Sequence, residues 1–397
     1  RLETGPMKLV SMAVCGFFLW LLQDVLFHRF WARGLSVSLD FNCRGVAEGE
    51  KGILEETITN AKSLPLPVIH VKFRMGKHLA FTDSGNSTVT DHNYRSDIFS
   101  CMPWQKIRRS LEFECRRRGY YAVSQVQLVG YDLFLSSRYV ASLPSGAAFY
   151  VYPGPADPGR LQLPFCSLMG QILADKALIS DPFETQSVRP YETYDPYRSV
   201  NWKATARTGD LKVNVYAPTA SRQVLFLLDV DSDRIWKDQE LTEEAIRLCG
   251  SYSRLLIREG IPTAVCTNGT DCLTQSRGFL EAGAGSRHWE SVMELLARIL
   301  VDGEGRLPME QILEETLSSR GFSVGDGSSP FYILISPRQR PSLARAFDAL
   351  CRISPGSQWI LPLRPGGEFP SDGFCPEPFG HISVFPWEVP YDYSKTS

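Results

Sequence analysis

Three aspartates that directly follow an apolar run are the residues of this chain best suited to bind a metal. Asp229, Asp231 and Asp233 come after Val224–Leu228, a run that predicts a buried strand. Carboxylates spaced by two in an extended turn can converge on one point, and three of them suit a hard cation such as Mg²⁺ or Ca²⁺. The alternative is a solvated acidic loop that caps the next helix. An EF-hand is excluded, because Arg234 stands where the sharp turn of that loop needs glycine.

A second candidate site combines aromatic rings with fixed positive charge. Trp202, Lys203 and Arg207 lie close together, shortly after Arg189 and Tyr191. The segment 200–208 is compatible with two helical turns, and Gly209 is a natural left-handed end for them. On this helix Lys203 and Arg207 would share one face, where like charges repel by roughly a few tenths of a kcal/mol. This repulsion predicts a negative group opposite them. It is either part of an intramolecular clasp, with Asp195, Asp210 or the aspartates after Leu228 as the carboxylates, or it lies on an acidic partner. The clasp is the favoured interpretation, since a tryptophan usually packs inside its own protein.

The sequence offers little support for other kinds of catalytic site. The six histidines have no catalytic spacing, and the chain contains neither a GxSxG elbow nor an HExxH motif. A phosphate loop of the GxxxxGK[ST] type is also missing, and no cysteine pair has CxxC spacing. Nucleic-acid binding through Trp202, Lys203 and Arg207 is a further hypothesis, but the formal net charge of -2 argues against it. We therefore expect a protein that is not an enzyme and that binds no nucleic acid.

The acidic run belongs to a region in which apolar strands alternate with helices. This pattern predicts a doubly wound α/β domain over residues 189–397, with a parallel sheet and helices on both faces. Ligands of such sheets bind at the carboxyl ends of the strands, where Asp229 is expected. The predicted elements after the first strand are helices at 240–258, 289–300, 308–317 and 342–353, and strands at 263–267, 331–336, 359–363 and 382–385.

Residues 35–152 predict a different domain. Leu35, Val37 and Leu39 alternate with polar residues, and short apolar strands separated by turn residues continue to about Tyr152. This is typical of a β-sandwich-like domain, in which the polar segment 83–93 is expected to be an exposed loop. Residues 153–188 are predicted to be a linker and connecting segment. The sequence PGPADPGR at 153–160 is a linker by composition, and the moderately apolar residues 161–180 could form a helix or a loop followed by a helix.

Two basic runs flank one predicted strand of the β domain, at 110–115. Lys106, Arg108 and Arg109 precede this strand, and residues 116–118 are all arginine. Solvated strand ends are the favoured interpretation. Contact with phosphate or lipid headgroups is the alternative.

Residues 7–31 are predicted to form a membrane anchor helix. Leu9–Phe27 is almost entirely apolar and would span about 28 Å as a helix, enough to cross the hydrocarbon core. Trp20, Phe30 and Trp31 resemble an interfacial aromatic belt. A signal peptide and a buried soluble helix are the alternatives. The basic residues that follow the helix weakly favour a single-pass protein with a cytoplasmic main body.

The aromatic-basic segment resembles the signature of the domain-of-unknown-function family 58. The motif residues are Arg189-Pro190-Tyr191, Tyr194-Asp195 and Asn201-Trp202-Lys203-Ala204-Thr205-Ala206-Arg207-Thr208-Gly209-Asp210-Leu211. The resemblance implies N-terminal membrane helices, a β-sandwich-like region and a von Willebrand factor A-like α/β domain. It also implies a MoxR-type AAA+ ATPase and transglutaminase-like membrane proteins as partners.

Two features depart from the family pattern. Family members often have two membrane helices, whereas one is predicted here. A metal-ion-dependent adhesion site would have Asp-x-Ser-x-Ser, whereas this chain has aspartate at 229, 231 and 233. We therefore expect a membrane-anchored, non-enzymatic adaptor or scaffold in protein assembly or remodelling. The alternative is a metal-dependent enzyme, or a metal-mediated ligand-binding protein, that uses the acidic run.

Overall fold

The computed structural model shows a chain that divides into two compact units, Arg1–Gly154 and Pro155–Ser397. Each unit has its own hydrophobic core. The structure describes residues 4–81, 87–90, 94–178, 180–192, 197, 200–218, 223–231, 239–301, 306–318, 330–354, 356–366 and 382–389.

The first unit begins with helix α1 and continues as two β-sheets. A four-stranded sheet has the order β1-β3-β8-β5, and a six-stranded sheet has the order β2-β10-β9-β4-β7-β6. All neighbours are antiparallel except β2 and β10, which are parallel. The elements are α1 Thr4–Phe30, β1 Leu35–Phe41, β2 Gly45–Ala47, β3 Lys51–Asn60, β4 Leu66–Arg74, β5 Leu79–Phe81, β6 Ser87–Thr90, β7 Tyr94–Cys101, β8 Lys106–Cys115, β9 Gly119–Tyr131 and β10 Arg138–Tyr152.

The core of this unit lies between the two sheets. Alternate residues of β3 are buried, as expected for a strand with one face on a core. Phe113 of one sheet meets Phe149 of the other edge to face, with 5.3 Å between the ring centroids. Ser87–Thr90, which was predicted to lie in a loop, instead forms the edge strand β6 on β7. Its side chains are too polar to signal a buried strand, but its backbone can still pair with β7.

One carboxyl group is buried in this core without a hydrogen-bond partner. Glu56 is 0% exposed on the inner face of β3, and neither of its carboxyl oxygens is hydrogen-bonded among the described residues. Burial, together with the nearby charge of Asp97, raises its pKa to about 8, against the opposing effect of Arg109 and Arg95. The protonated form is therefore favoured at neutral pH.

Helix α1 contains one stretch, Val10–Phe30, that is long and apolar enough to cross a membrane. Its last two turns are packed on the β-sheets. Gln23, Phe27 and Trp31 are spaced by four and are all buried, so they form the docked face. Trp31 stacks on Tyr139, with 5.9 Å between the ring centroids. The expectation that Trp31 belongs to an interfacial belt is therefore wrong, because its ring fills the core of the β unit.

The second unit contains a seven-stranded mixed sheet. The strand order is β15-β14-β13-β17-β18-β19, and β16 pairs with β14 off this path. A separate two-stranded antiparallel sheet consists of β11 and β12. The elements are α2 Pro158–Leu178, β11 Ser180–Pro190, α3 Trp202–Thr208, β12 Lys212–Pro218, β13 Val224–Leu228, α4 Gln239–Arg258, β14 Thr263–Asp271, β15 Arg277–Gly283, α5 Ser286–Arg298, β16 Ile299–Leu300, α6 Met309–Ser318, β17 Phe331–Ile335, α7 Pro341–Ile353, β18 Gln358–Leu363 and β19 Ser383–Glu388.

Five of these strands are parallel, as predicted, but the sheet as a whole is not. β13, β14, β17, β18 and β19 run in one direction. β15 and β16 run antiparallel to β14 at the edge, which corrects the prediction of a parallel sheet. β15 can be antiparallel because a tight turn follows β14, whereas a parallel neighbour needs a long crossover connection.

The helices cover both faces of the sheet. Leu225 and Leu227 share a core with Phe347 of α7 on one face. Phe226 points the other way and meets Tyr252 of α4, with 5.7 Å between the ring centroids. The alternation along β13 explains why its whole sequence is apolar: both of its faces are buried.

A helix occupies most of the segment predicted to be a linker. α2 begins at Pro158, which suits a first helical turn because proline has no N–H to leave unpaired. Leu161, Leu168 and Ile172 are buried, and the helix packs on α4. Only residues 153–157 of the predicted linker precede the helix, and α2 covers most of 161–180, where a helix was one of the predicted possibilities.

Candidate functional site

The aromatic-basic segment folds as a short helix next to the two-stranded sheet. The Asn201 side chain accepts a hydrogen bond from the backbone N–H of Ala204 and caps the N-terminus of α3. Gly209 ends the helix in a left-handed conformation, with φ of 79°. Asn201 also donates from Nδ2 to Oδ1 of Asn214 on β12, at 2.6 Å. Local capping thus holds α3 in place without burying it.

The outward side chains of α3 are exposed. Trp202 is 67% exposed, and Lys203 and Arg207 are exposed as well. The helix has no buried residue. Within the part of the chain that the structure describes, neither Lys203 nor Arg207 forms a hydrogen bond or an ion pair.

The residues predicted to accompany α3 lie just before it. Tyr191 and Tyr197 contact each other, with 5.7 Å between the ring centroids. The Arg189 guanidinium donates to the carbonyl of Pro190 at 3.1 Å. The intramolecular clasp stays a prediction, because one of its suggested carboxylates, Asp195, lies outside the described residues.

A polar cluster lies at the carboxyl edge of the main sheet. Asp229 directly follows β13 and is fully buried. Its Oδ1 accepts from Asn268 Nδ2 at 2.7 Å and from the backbone N–H of Asp231 at 3.1 Å. Its Oδ2 accepts from Ser336 Oγ and from Arg338 Nε, both at 2.7 Å. Four donors therefore surround one carboxylate at the switch between β13 and β17, where such sheets bind ligands.

Arg338 balances the negative charge of this cluster. Its side chain is buried, and besides Asp229 it contacts Asp231 at 3.4 Å and Glu310 at 3.5 Å. Burial, the largest single effect, would lower the pKa of the guanidinium, but Asp229, Glu310 and Asp231 together outweigh it and raise the pKa. Burial raises the pKa of Asp229, although the guanidinium opposes this shift. The pair is thus an internal ion pair removed from water.

The groups around Asp229 do not fit a divalent cation. Both oxygens of the first proposed ligand already accept hydrogen bonds, and a guanidinium lies against Asp229 and Asp231. Asp233 lies outside the described residues. In the parts of the chain that the structure describes, no group of three His, Cys, Asp or Glu side chains could hold a metal. The metal site stays a prediction, and binding there would require Arg338 to leave Asp229.

The sequence-based interpretation missed the partners of Asp229. Asn268 lies in β14, Ser336 directly follows β17, and Arg338 lies two residues after Ser336. The sequence contains a signal for these partners. Each is a polar residue near the end of an apolar strand, and parallel strands bring their carboxyl ends to one edge of the sheet. To predict that they contact Asp229, one must also know which strands are neighbours in the sheet.

Comparison with known proteins gives one family match. The family model described as "Protein of unknown function DUF58" matches residues 187–312, which is less than half of the chain. The match includes α3 and Asp229 but ends before Arg338. No curated protein matches this chain.

Several solved structures match with low similarity. A non-cellulosomal cohesin from the archaeon Archaeoglobus fulgidus is 13% identical, with 29% of this chain and 91% of that chain covered and a TM-score of 0.21. The seventh type I cohesin of ScaB from Pseudobacteroides cellulosolvens is 11% identical, with 31% and 95% covered and a TM-score of 0.21. Such scores carry no argument about this protein. Over residues 187–312, the chain is therefore similar to the DUF58 family of proteins of unknown function.

Proposed function

We propose that this protein is a membrane-anchored, non-enzymatic adaptor that binds a partner protein through α3. The exposure of Trp202 beside two exposed cations is the observation that carries the proposal. Tryptophan and arginine are enriched among the residues that dominate binding energy at protein interfaces. The capped helix presents them on a backbone that is already ordered, so that little backbone entropy is lost on binding. The two cations favour an acidic surface on the partner.

The partner proposed here is a MoxR-type AAA+ ATPase, as the resemblance to DUF58 implies. Transglutaminase-like membrane proteins are proposed as further neighbours in the same assembly or remodelling process. The second unit is proposed to be a von Willebrand factor A-like domain. Five parallel strands with helices on both faces, and an aspartate at the carboxyl edge, support that assignment.

The ion pair at the carboxyl edge of the main sheet supports a role in binding rather than catalysis. Asp229 and Arg338 satisfy each other there, so neither is free to act on a substrate. The alternative of a metal-dependent enzyme, or of metal-mediated ligand binding, has no comparable support. It would need Asp229, Asp231 and Asp233 to exchange a buried arginine for Mg²⁺ or Ca²⁺.

The proposed location is a membrane, with α1 as a single-pass anchor. The stretch Val10–Phe30 has the length and composition for this. The main body is proposed to be cytoplasmic, because His28, Arg29 and Arg33 lie at or just past the C-terminal end of this stretch.

Binding of a purified MoxR-type ATPase to the full-length protein in vesicles tests the proposal. We expect Trp202→Ala with Arg207→Ala to weaken binding at least about tenfold, since each is the kind of residue that forms an interface hot spot. The matched control is Leu273→Ala with Arg287→Ala, which changes two exposed residues elsewhere in the same unit.

Lys203→Glu provides a second test that is independent of any effect on folding. It reverses one exposed charge on α3 without removing packed atoms, so it should leave the thermal unfolding midpoint unchanged while weakening binding. Unchanged affinity in both α3 variants, with their folds intact, would exclude α3 as the binding surface.

A further inference from the structure

Two loops expose apolar side chains at one end of the β unit. Leu133, Phe134 and Leu135 form the tip between β9 and β10, and Phe134 is 64% exposed. Met102 and Trp104 lie between β7 and β8, and Trp104 is 73% exposed. We call these five residues the apolar tips. Single exposed apolar residues are normal on a protein surface, whereas a contiguous exposed apolar patch marks an interaction site.

The strand register places both tips at the end of the sandwich that carries α1. Tyr131 of β9 pairs with Arg138 of β10 at the base of the first tip. The N–H of Trp104 donates to the carbonyl of Lys62 at 3.2 Å. The Lys62 ammonium in turn donates to the carbonyls of Phe30 and Trp31, so it caps the C-terminus of α1. The second tip therefore lies beside the end of the helix.

Hydrogen bonds hold the first tip against α1. The Asp132 carboxylate accepts from Gln23 Nε2 at 2.6 Å and from the N–H of Ser136 at 2.7 Å. Gln23 Oε1 accepts from the N–H of Leu133 at 3.3 Å, and the Trp20 indole donates to Ser136 Oγ at 3.4 Å. The tip is thus at the height of Trp20 and Gln23 along the helix axis.

Next to Gln23, the side of α1 that faces away from the first tip is apolar. Leu22, Val25 and Leu26 are exposed, and Leu26 is about 4.5 Å farther along the axis than Gln23. A bilayer that covers the exposed apolar side of α1 as far as Leu26 would therefore also reach the tip at Leu133–Leu135.

The charges around the tips suit lipid headgroups. Arg29, Arg33, Lys106 and Arg138 are all exposed at this end of the unit. The two carboxylates where α1 packs on the β-sheets accept hydrogen bonds from within the unit. The partners of Asp132 are described above, and Asp24 accepts from Ser137 Oγ at 3.0 Å and from Tyr139 Oη at 2.9 Å. Cations next to exposed apolar side chains are typical of surfaces that bind anionic lipids.

We propose that the apolar tips are a second membrane contact, in which the tip at Leu133–Leu135 inserts into a bilayer with anionic headgroups and the β unit lies on the membrane surface. The inference rests on the proposed role of α1 as a membrane anchor. It adds that the β unit lies against the lipid because it is docked on the last two turns of α1.

Site-specific photo-crosslinking to lipid tests this inference. The photoreactive residue p-benzoylphenylalanine would replace Phe134, Phe18 or Arg116 in separate full-length proteins, each reconstituted in vesicles of phosphatidylcholine and phosphatidylglycerol. Phe18 is exposed on α1 and reports on the anchor. Arg116 is the matched control, because its side chain is 67% exposed at the opposite end of the sandwich.

We expect lipid adducts, measured by mass spectrometry after illumination, at positions 18 and 134 and at least about tenfold fewer at position 116. Adducts at position 18 without adducts at 134 would overturn the tip contact but leave the anchor intact. Absence of lipid adducts at both positions would overturn the anchor as well. Crosslinks from position 134 only to a second copy of the protein would show that the tips bind protein and not lipid.

Discussion

At the residue scale, one arginine compensates the charge of a fully buried aspartate. Among the residues that the structure describes, four groups donate hydrogen bonds to Asp229, and Arg338 is the one of these four that carries a positive charge. Taking both charges out of water is costly, so the pair persists because each partner neutralises the other. The same arginine also reaches Asp231 and Glu310, which ties β13, β17 and α6 together.

Replacing this arginine should destabilise the α/β unit strongly. We expect Arg338→Ala to lower the free energy of unfolding by about 3–5 kcal/mol, because it leaves Asp229 buried and unpaired. Denaturant unfolding measures the effect. Arg277→Ala is the control, since it breaks an exposed ion pair with Glu315 and should cost less than about 1 kcal/mol. The double variant Asp229→Asn with Arg338→Met should recover part of the loss. Equal effects of Arg338→Ala and the control would contradict the role given to this pair.

Glu56 makes the stability of the β unit depend on pH. Its pKa is about 8 in the folded protein, against an ordinary value of 4.5. Between these values the folded protein keeps the proton and the unfolded chain releases it. Its contribution to stability is thus fully present below about pH 4.5 and is lost as the pH rises toward 8, by about 1.4 kcal/mol per pH unit.

Glu56→Gln should remove this dependence, because glutamine has a similar shape and does not titrate. Urea unfolding between pH 5 and pH 8 measures the slope of stability against pH for each variant. Glu55→Gln is the control, since it makes the same change one residue earlier on the solvent side of β3. If Glu56→Gln keeps the slope of the unmodified protein, then the buried carboxyl is not its source.

At the element scale, the joint between α1 and the β-sheets depends on a glycine. A Cβ added to Gly130 of β9 would lie 2.8 Å from the Trp31 ring, which is closer than real Cβ contacts come. Trp31 fills that space and anchors the end of the helix in the core. The apolar tips keep their height along α1 only as long as this joint is intact.

Gly130→Ala should therefore loosen the joint. We expect a loss of about 1–3 kcal/mol, typical of overpacking in a core, and faster tryptic cleavage at Arg29 and Arg33. Gly146→Ala serves as the control, because a Cβ there has no neighbouring atom within 4 Å. Equal cleavage rates in the two variants would show that Trp31 does not hold the helix end.

At the scale of the whole molecule, two units with separate cores carry different parts of the proposed function. The first unit, Arg1–Gly154, would hold the protein at the membrane through α1 and the apolar tips. The second, Pro155–Ser397, would present α3 to an acidic partner. Only residues 187–312 of the second unit match DUF58, so the first unit has to be understood from its own structure.

Elements whose signals are local can be predicted from the amino-acid sequence. Val224–Leu228 forms β13 as predicted, and α4 begins one residue before the predicted start, because a strand buried on both faces and an amphipathic helix are visible from spacing alone. The two turns of α3 and the glycine that ends it were also predicted, since caps depend on neighbouring residues.

Contacts between residues that are distant in sequence depend on how the strands and helices pack. Asp229 and Arg338 are far apart in sequence, and no local pattern reveals that parallel pairing of β13 with β17 joins them. The same is true of Trp31. In sequence it resembles a membrane-interface residue, whereas in the structure its ring packs on Gly130 and stacks on Tyr139. Periodicity shows which face of an element is apolar, whereas its partner is set by how the sheets and helices pack.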